Sequence, residues 1–169
     1  MWVLEIIDFI LFTFSLDRFG IAPRSLIGLR GIFLAPFLHI GFSHLISNTI
    51  PFLALGWLVM LRSLSDFVNV SIITAIISGL GVWLFASPQT VHLGASGLIF
   101  GYLGYLLLRG YFERSLVAIA LALITTFFYG GILRGILPQS AGISWQAHLF
   151  GFIGGSIAAY LLTKYRPTE

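Results

Sequence analysis

The chain has no cysteine, which excludes disulfide bonds, a thiol nucleophile and any cysteine-ligated metal while leaving the redox compartment open. Charge is nearly as scarce. Only 9% of the 169 residues are Asp, Glu, Lys or Arg, against roughly 25% in an ordinary soluble domain. With 58% hydrophobic residues and a mean hydropathy of +1.00, so few charges cannot solvate a globular surface, and the composition specifies an all-α polytopic membrane protein. The net charge of +3 comes from residues scattered along the chain. No basic patch points to nucleic acid, and contacts with the lipid bilayer account for the excess. A charged leading segment and a small-residue cleavage site are also missing, so the first apolar run is expected to be retained rather than removed as a signal.

What is present is a series of apolar runs. A membrane helix takes about 20 mainly apolar residues, so six would use roughly 120 positions and leave short connections. A single membrane domain over residues 1–169 is therefore expected. The first run, Trp2 to Leu16, is marginal because Glu5 and Asp8 interrupt it, and its start at Met1 suggests a native start upstream or a trimmed chain. Asp17 to Gly41 is punctuated by Gly20, Pro23, Arg24, Gly28, Arg30, Gly31 and Pro36, and reads as a long loop in or on the membrane interface. Further spans are expected from Ser43 to Leu61 with Pro51 inside, Phe67 to Phe85, the Gly94 region to Leu108, Ser115 to Leu133, and Trp145 to Leu162. Pro138 to Ser144 is a loop, and Lys164 and Arg166 end the chain at an interface. The absence of an internal repeat counts against an inverted-repeat transporter.

Alternate spans enter the membrane from the same face, so spans two, four and six share the depth of their first turns. Those turns carry His44 and Asn48, Ser96, and His148. If the N-terminus is inside, Arg62, Arg109, Arg114, Lys164 and Arg166 lie inside against Arg18, Arg24, Arg30 and Arg134 outside. This weak positive-inside vote places the polar layer nearer the outer face. Hydrogen-bonding side chains within spans are costly and usually face a bundle interior or a water-filled cavity. His44 and Asn48 are four apart and share a helix face, with His39 just before that helix. His148 shares a face with Gly151, Gly155 and Ala159, while Gly97, Gly101 and Gly104 form a seam on span four. Two such seams let helix backbones approach closely.

That approach would set a hydroxyl nucleophile, Ser96, beside a general base, His148. No carboxylate is expected near them, since all acids except Asp17 are placed toward the inner face. The reading is a Ser-His dyad, with His44, Asn48 and the Ser96 N–H as donors to an oxyanion. Taken singly, the residues have simpler readings. Ser96 could be a packing residue, His44 and Asn48 could bridge helices, His39 could be structural, and His92 is expected just to face the interface.

Three motifs in order, His39-x4-His44-x3-Asn48, Gly94-Ala95-Ser96-Gly97 and Ala147-His148-x2-Gly151-x3-Gly155, make the chain similar to the rhomboid family of intramembrane serine proteases over nearly its whole length. The resemblance implies a six-span bundle with an interfacial first loop, Ser96 as nucleophile, His148 as base, His44 and Asn48 at the oxyanion, and His39 in support. It implies cleavage of transmembrane protein substrates near the membrane surface, with no metal or cofactor; taken with the charge vote, the expected place is the outer face of the plasma membrane. Two features depart from the family pattern. A Trp-Arg pair is absent from the first loop, where Arg24 or Arg30 could serve as anchor, and Phe100 stands where a Tyr often meets the catalytic His. Three other functions remain: a catalytically silent rhomboid-like protein that binds or chaperones transmembrane segments, a histidine metal site, and a transporter. No carboxylate ligand accompanies the histidines, and no chain of charges crosses the bilayer.

Overall fold

Apolar segments in lipid must satisfy their backbone hydrogen bonds internally, so helix is the local structure open to long runs such as Leu64–Phe85. The computed structural model describes residues 1–138 and 142–165. Gln139 to Ala141, within the expected Pro138 to Ser144 loop, and Arg166 lie outside the described residues. Among the described residues are seven α-helices: α1 (Trp2–Ile7), α2 (Gly31–Leu34), α3 (Gly41–Met60), α4 (Leu64–Phe85), α5 (Ser96–Glu113), α6 (Leu116–Tyr129) and α7 (Trp145–Lys164). They contain no strand, only an isolated antiparallel bridge between Ile21 and His92.

Serines set two of the starts: Ser63 caps α4 by accepting from the Asp66 N–H, and Ser115 caps α6 by accepting from the Ala118 N–H. By length and composition, three helical segments suffice to cross a membrane: α3, α4, and α6 continued through a 3-10 turn to Ile136. The expected six long helices are not the observed count. Helices α5 and α7 are 18 and 20 residues long, but glycine, Arg109, Glu113, Gln146 and His148 dilute their apolar character.

The first segment is corrected most. Instead of one span from Trp2 to Leu16, α1 passes into a π-helical turn at Asp8–Phe12, and left-handed Thr13 and Phe14 reverse the chain. At 1.5 Å per residue, the eleven residues Trp2–Phe12 rise roughly 16 Å, about half a hydrocarbon core. The stretch runs antiparallel to the first half of α3: Trp2 Nε1 donates to Thr49 Oγ1 at 3.1 Å, and Phe9 meets the Phe42 ring edge-on at 5.6 Å. Glu5 and Asp8 are buried, beside the start of α3 and not at the opposite interface.

Helix α5 is the central element, with α3, α4, α6 and α7 around it. A Cβ on Gly151 would meet the Gly97 carbonyl, one on Gly155 the Gly101 carbonyl, and one on Gly104 the Phe152 carbonyl. The small-residue seams thus bring α5 and α7 into backbone contact. Outward faces are apolar: Leu116 and Phe127 on α6 are 87% and 83% exposed, as lipid-facing residues must be. The first loop is held to α4 by Arg24, whose guanidinium donates to the Ala86 carbonyl at 2.6 Å, and by Trp83 Nε1, which donates to the Ser25 carbonyl at 2.9 Å.

At the end of the bundle where α3 turns into α4, charges pair internally. Arg62 contacts Asp66 at 3.1 Å and Glu113 at 3.4 Å, Arg109 binds both carboxylate oxygens of Glu113 at 2.7 and 3.2 Å, and Tyr105 donates to Asp66 at 3.1 Å. Removing one member strands a buried guanidinium. Glu113→Ala should therefore cost about 3 kcal/mol, the low end for a broken buried pair because Glu113 stays 23% exposed. Thermal unfolding in detergent would check this.

Candidate active site

The other end of the bundle is hollow. A cavity of about 510 Å³ is lined by His44, Ser47, Asn48, Ser96 and His148, together with His92, Ser144, Trp145 and Gln146. Four of the side chains anticipated for chemistry therefore share one space, reached from α3, α5 and α7.

Ser96 is the first residue of α5, so its position depends on the turn before it. Gly94 has φ +113, a conformation that side chains rarely adopt, and a Cβ there would lie 2.6 Å from the His44 ring. Glycine is required both for the turn into Ser96 and for the packing of His44 beside it. The Gly94 N–H donates to the Ala35 carbonyl at 2.8 Å, which fixes the turn to the first loop.

His148 lies one turn before Gly151, so the close contact of Gly151 with Gly97 places its level next to that of Ser96. Its ring stacks on Phe100 at 4.2 Å and 8°, the arrangement open to a phenylalanine at this position. His148 Nδ1 is 3.0 Å from the Gly135 carbonyl. A carbonyl only accepts, so Nδ1 carries the proton and Nε2 presents its lone pair. A backbone oxygen thus does for this imidazole what a carboxylate does in a triad: it fixes the tautomer and ring orientation. Nothing in the sequence motif flagged Gly135, because the interaction uses only its main chain. The first turn of α7 is also pinned to α4, where Ser78 Oγ donates to the Ala147 carbonyl at 2.9 Å.

Asn48 is 5% exposed and donates one amide hydrogen to the His44 carbonyl at 2.8 Å, leaving the second N–H of its amide for other partners. His39 is fully buried with its ring 5.2 Å from that of His44, and neither of its nitrogens has a hydrogen-bond partner among the described residues. It backs His44 and does not line the cavity. Burial lowers the His39 pKa to about 4, helped by nearby His44 and the N-terminal ammonium; the Phe37 carbonyl opposes this without reaching hydrogen-bonding geometry. Asp17 is raised to about 6 by burial and by neighbouring Asp8 and Glu5.

These shifts predict a pH dependence of stability. Because the folded pKa of His39 lies below its unfolded value, its contribution is complete above pH 6.5 and is lost as pH falls toward about 4. The loss is on the order of 3 kcal/mol. Asp17 acts in the opposite sense, since protonation through its raised pKa favours the folded state. His39→Gln, which cannot titrate, should therefore remove the His39 share of the acid destabilisation between pH 6.5 and 4 and leave that of other histidines whose pKa burial lowers, such as His92, as read by melting temperature across pH.

His92 departs from expectation. Instead of facing the interface, it pairs with Ile21 through both backbone groups, at 2.8 and 3.0 Å, and its ring contacts Ser144 Oγ and Thr90 Oγ1, each at 2.7 Å. Its place in the turn before Ser96 was the available signal, but sequence gave no hint of its partner. Among the described residues no group of three or more His, Cys, Asp or Glu side chains could hold a metal.

A helical membrane protein with a serine and histidines around a polar cavity at one end is the class that fold and site define. A family profile described as Rhomboid domain matches residues 28–165. The chain is 45% identical over 171 residues to an uncharacterized protein of Mycobacterium tuberculosis, covering 96% of this chain and 71% of that one. It is 42% identical over 171 residues to an uncharacterized protein of Mycobacterium leprae, covering 96% and 67%. It is also 32% identical over 129 residues to a Bacillus subtilis protein named "Putative rhomboid protease YdcA", covering 75% and 64%. The chain belongs to the rhomboid family and is an integral membrane protein.

Proposed function

We propose that this chain is an intramembrane serine endopeptidase that cuts transmembrane protein substrates through a dyad of Ser96 and His148. The observation that carries the reading is the shared cavity: Ser96, His148, His44 and Asn48 all line it, and the Gly135 carbonyl leaves Nε2 of His148 as the basic nitrogen. Ser96 Oγ attacks the scissile carbonyl as His148 Nε2 takes its proton, and the same proton passes to the leaving amine. Water then enters and attacks the acyl carbonyl as His148 takes its proton, and that proton passes to Ser96 Oγ as the ester bond breaks and the acyl product leaves. His44, Asn48 and the Ser96 N–H at the start of α5 donate to the oxyanion, with His39 holding His44 and with Gly94, Gly97, Gly151 and Gly155 setting the approach of α5 and α7.

In this reading residues 1–169 are one membrane domain without metal or cofactor. Helices α3 to α7 cross the bilayer, and the described stretch Trp2–Phe12 lies along the half of α3 nearest the cavity. The internally paired Arg62, Arg109 and Glu113 end faces inward, and the cavity opens at the outer face of the plasma membrane. A substrate helix must unwind there, since an intact helix buries its scissile carbonyl in a hydrogen bond.

A fluorophosphonate probe applied to the full chain in bilayers tests this. Ser96 should be labelled covalently, and His148→Ala should abolish labelling. Equal labelling of wild type and His148→Ala would sink the dyad. A protein that binds single-span peptides but is neither labelled nor able to cut them would instead be the silent, binding-only form.

A further inference from the structure

Ser144 immediately precedes α7, the position where a serine ordinarily caps a helix by accepting from an N–H of its first turn. It makes no such bond. Its hydroxyl is turned instead to His92 Nδ1, at 2.7 Å, and the other end of the ring meets Thr90 Oγ1 at 2.7 Å. Thr90 Oγ1 is in turn 2.6 Å from the Ser87 carbonyl.

Proton counting gives this chain a direction. A carbonyl only accepts, so the single Thr90 hydroxyl proton goes to Ser87, and Thr90 Oγ1 must accept from His92. Nε2 of His92 therefore carries the ring proton. In the neutral ring Nδ1 is then an acceptor, and Ser144 donates to it. The opposite tautomer would set two lone pairs against each other at the Thr90 contact. Burial lowers the His92 pKa and so favours the neutral ring.

The placement of this chain matters as much as its direction. His92 lies four residues before Ser96, and Ser144 four residues before His148, whose N–H donates to the Ser144 carbonyl at 3.2 Å. The backbone of His92 is paired with Ile21 of the first loop. One residue thus joins three elements at the rim of the cavity: its backbone holds the first loop, and its imidazole ties the turn leading into α5 to the start of α7.

We infer that neutral His92, as its Nε2–H tautomer, is a positioning residue that holds Ser144 and thereby sets the first turn of α7, and with it His148, against Ser96. The inference rests on the proteolytic reading for its consequence, though not for its geometry. Misplacing reacting groups by about 1 Å can cost about 10²-fold in rate, so loss of the clamp should appear in kcat while KM, set by the rest of the cavity, stays put.

The test uses isosteres in the full-length protein. His92→Asn keeps an oxygen acceptor near the Nδ1 position and should hold kcat within about threefold of wild type. His92→Gln keeps a donor near Nε2 but loses the acceptor, and should lower kcat about tenfold with KM unchanged. Ser144→Ala should match His92→Gln, and the double variant should be no slower than either single. Equal kcat for the Asn and Gln variants, or strictly multiplicative losses in the double variant, would overturn the clamp.

A second arm needs no activity. In ¹⁵N-histidine NMR of the detergent-solubilised protein, His92 should show a bare Nδ1 and a protonated Nε2, with the Nδ1 resonance moved by Ser144→Ala. A protonated Nδ1 at neutral pH overturns the inference. Conversely, the expected resonances in a protein that cuts no substrate would overturn the protease reading and leave the clamp standing.

Discussion

Ser96→Ala should lower cleavage of a single-span substrate by about 10⁴-fold or more, His148→Ala by a similar factor, and the double variant no further. The lack of additivity follows from the chemistry. The imidazole matters because it removes the Ser96 proton during attack, and without that hydroxyl it has nothing to deprotonate. What survives is catalysis by the oxyanion donors and by substrate positioning, which in serine hydrolases retain roughly 10³- to 10⁴-fold over water. The two residues reach the cavity from different helices, α5 and α7, and residues acting in separate steps would show losses closer to multiplicative. The measurement is initial cleavage rate in reconstituted bilayers with protein folding verified. Multiplicative losses, or residual cleavage by either single variant near the wild-type rate, would remove the dyad.

How much of this was legible beforehand depended on which atoms carried each interaction. The layer containing His44, Asn48, Ser96 and His148 could be read because alternate membrane helices share a face, and the glycine seams because side-chain size decides how closely backbones approach. Interactions made by main-chain atoms were not legible. The Gly135 carbonyl that fixes the His148 tautomer leaves no mark on residue identity, and neither does the Ile21 pairing that holds His92. Trp2 to Leu16 misled for a related reason. It has the composition of a marginal span, but the left-handed residues Thr13 and Phe14 are neither glycine nor proline, so no turn signal marked the reversal. Burial of Glu5 and Asp8 was missed with it, because their place at the start of α3 depends on that reversal.

Gly155→Val should destabilise the protein by about 3 kcal/mol, at the upper end of overpacking costs. Ordinary overpacking is relieved when a neighbouring side chain changes rotamer. Here the neighbour is the Gly101 carbonyl, a backbone atom of the central helix, so relief requires α5 and α7 to part. Parting them would strip contacts from the whole seam, including those at Gly151 and Gly104. Gly131→Ala is the matched control, since nothing lies within 4 Å of a Cβ added there, and it should leave the melting temperature nearly unchanged. The separation would also reach the chemistry: His148 sits one turn above Gly151 on the displaced helix, so probe labelling of Ser96 in the folded fraction should slow by about 10²-fold. A Gly155→Val variant that loses stability yet labels at the wild-type rate would mean that α7 repacks with His148 in place. Its position would then be fixed by the hydrogen bonds that Ser78, Gly135 and Ser144 make to the first turn of α7, and not by the glycine seam below it.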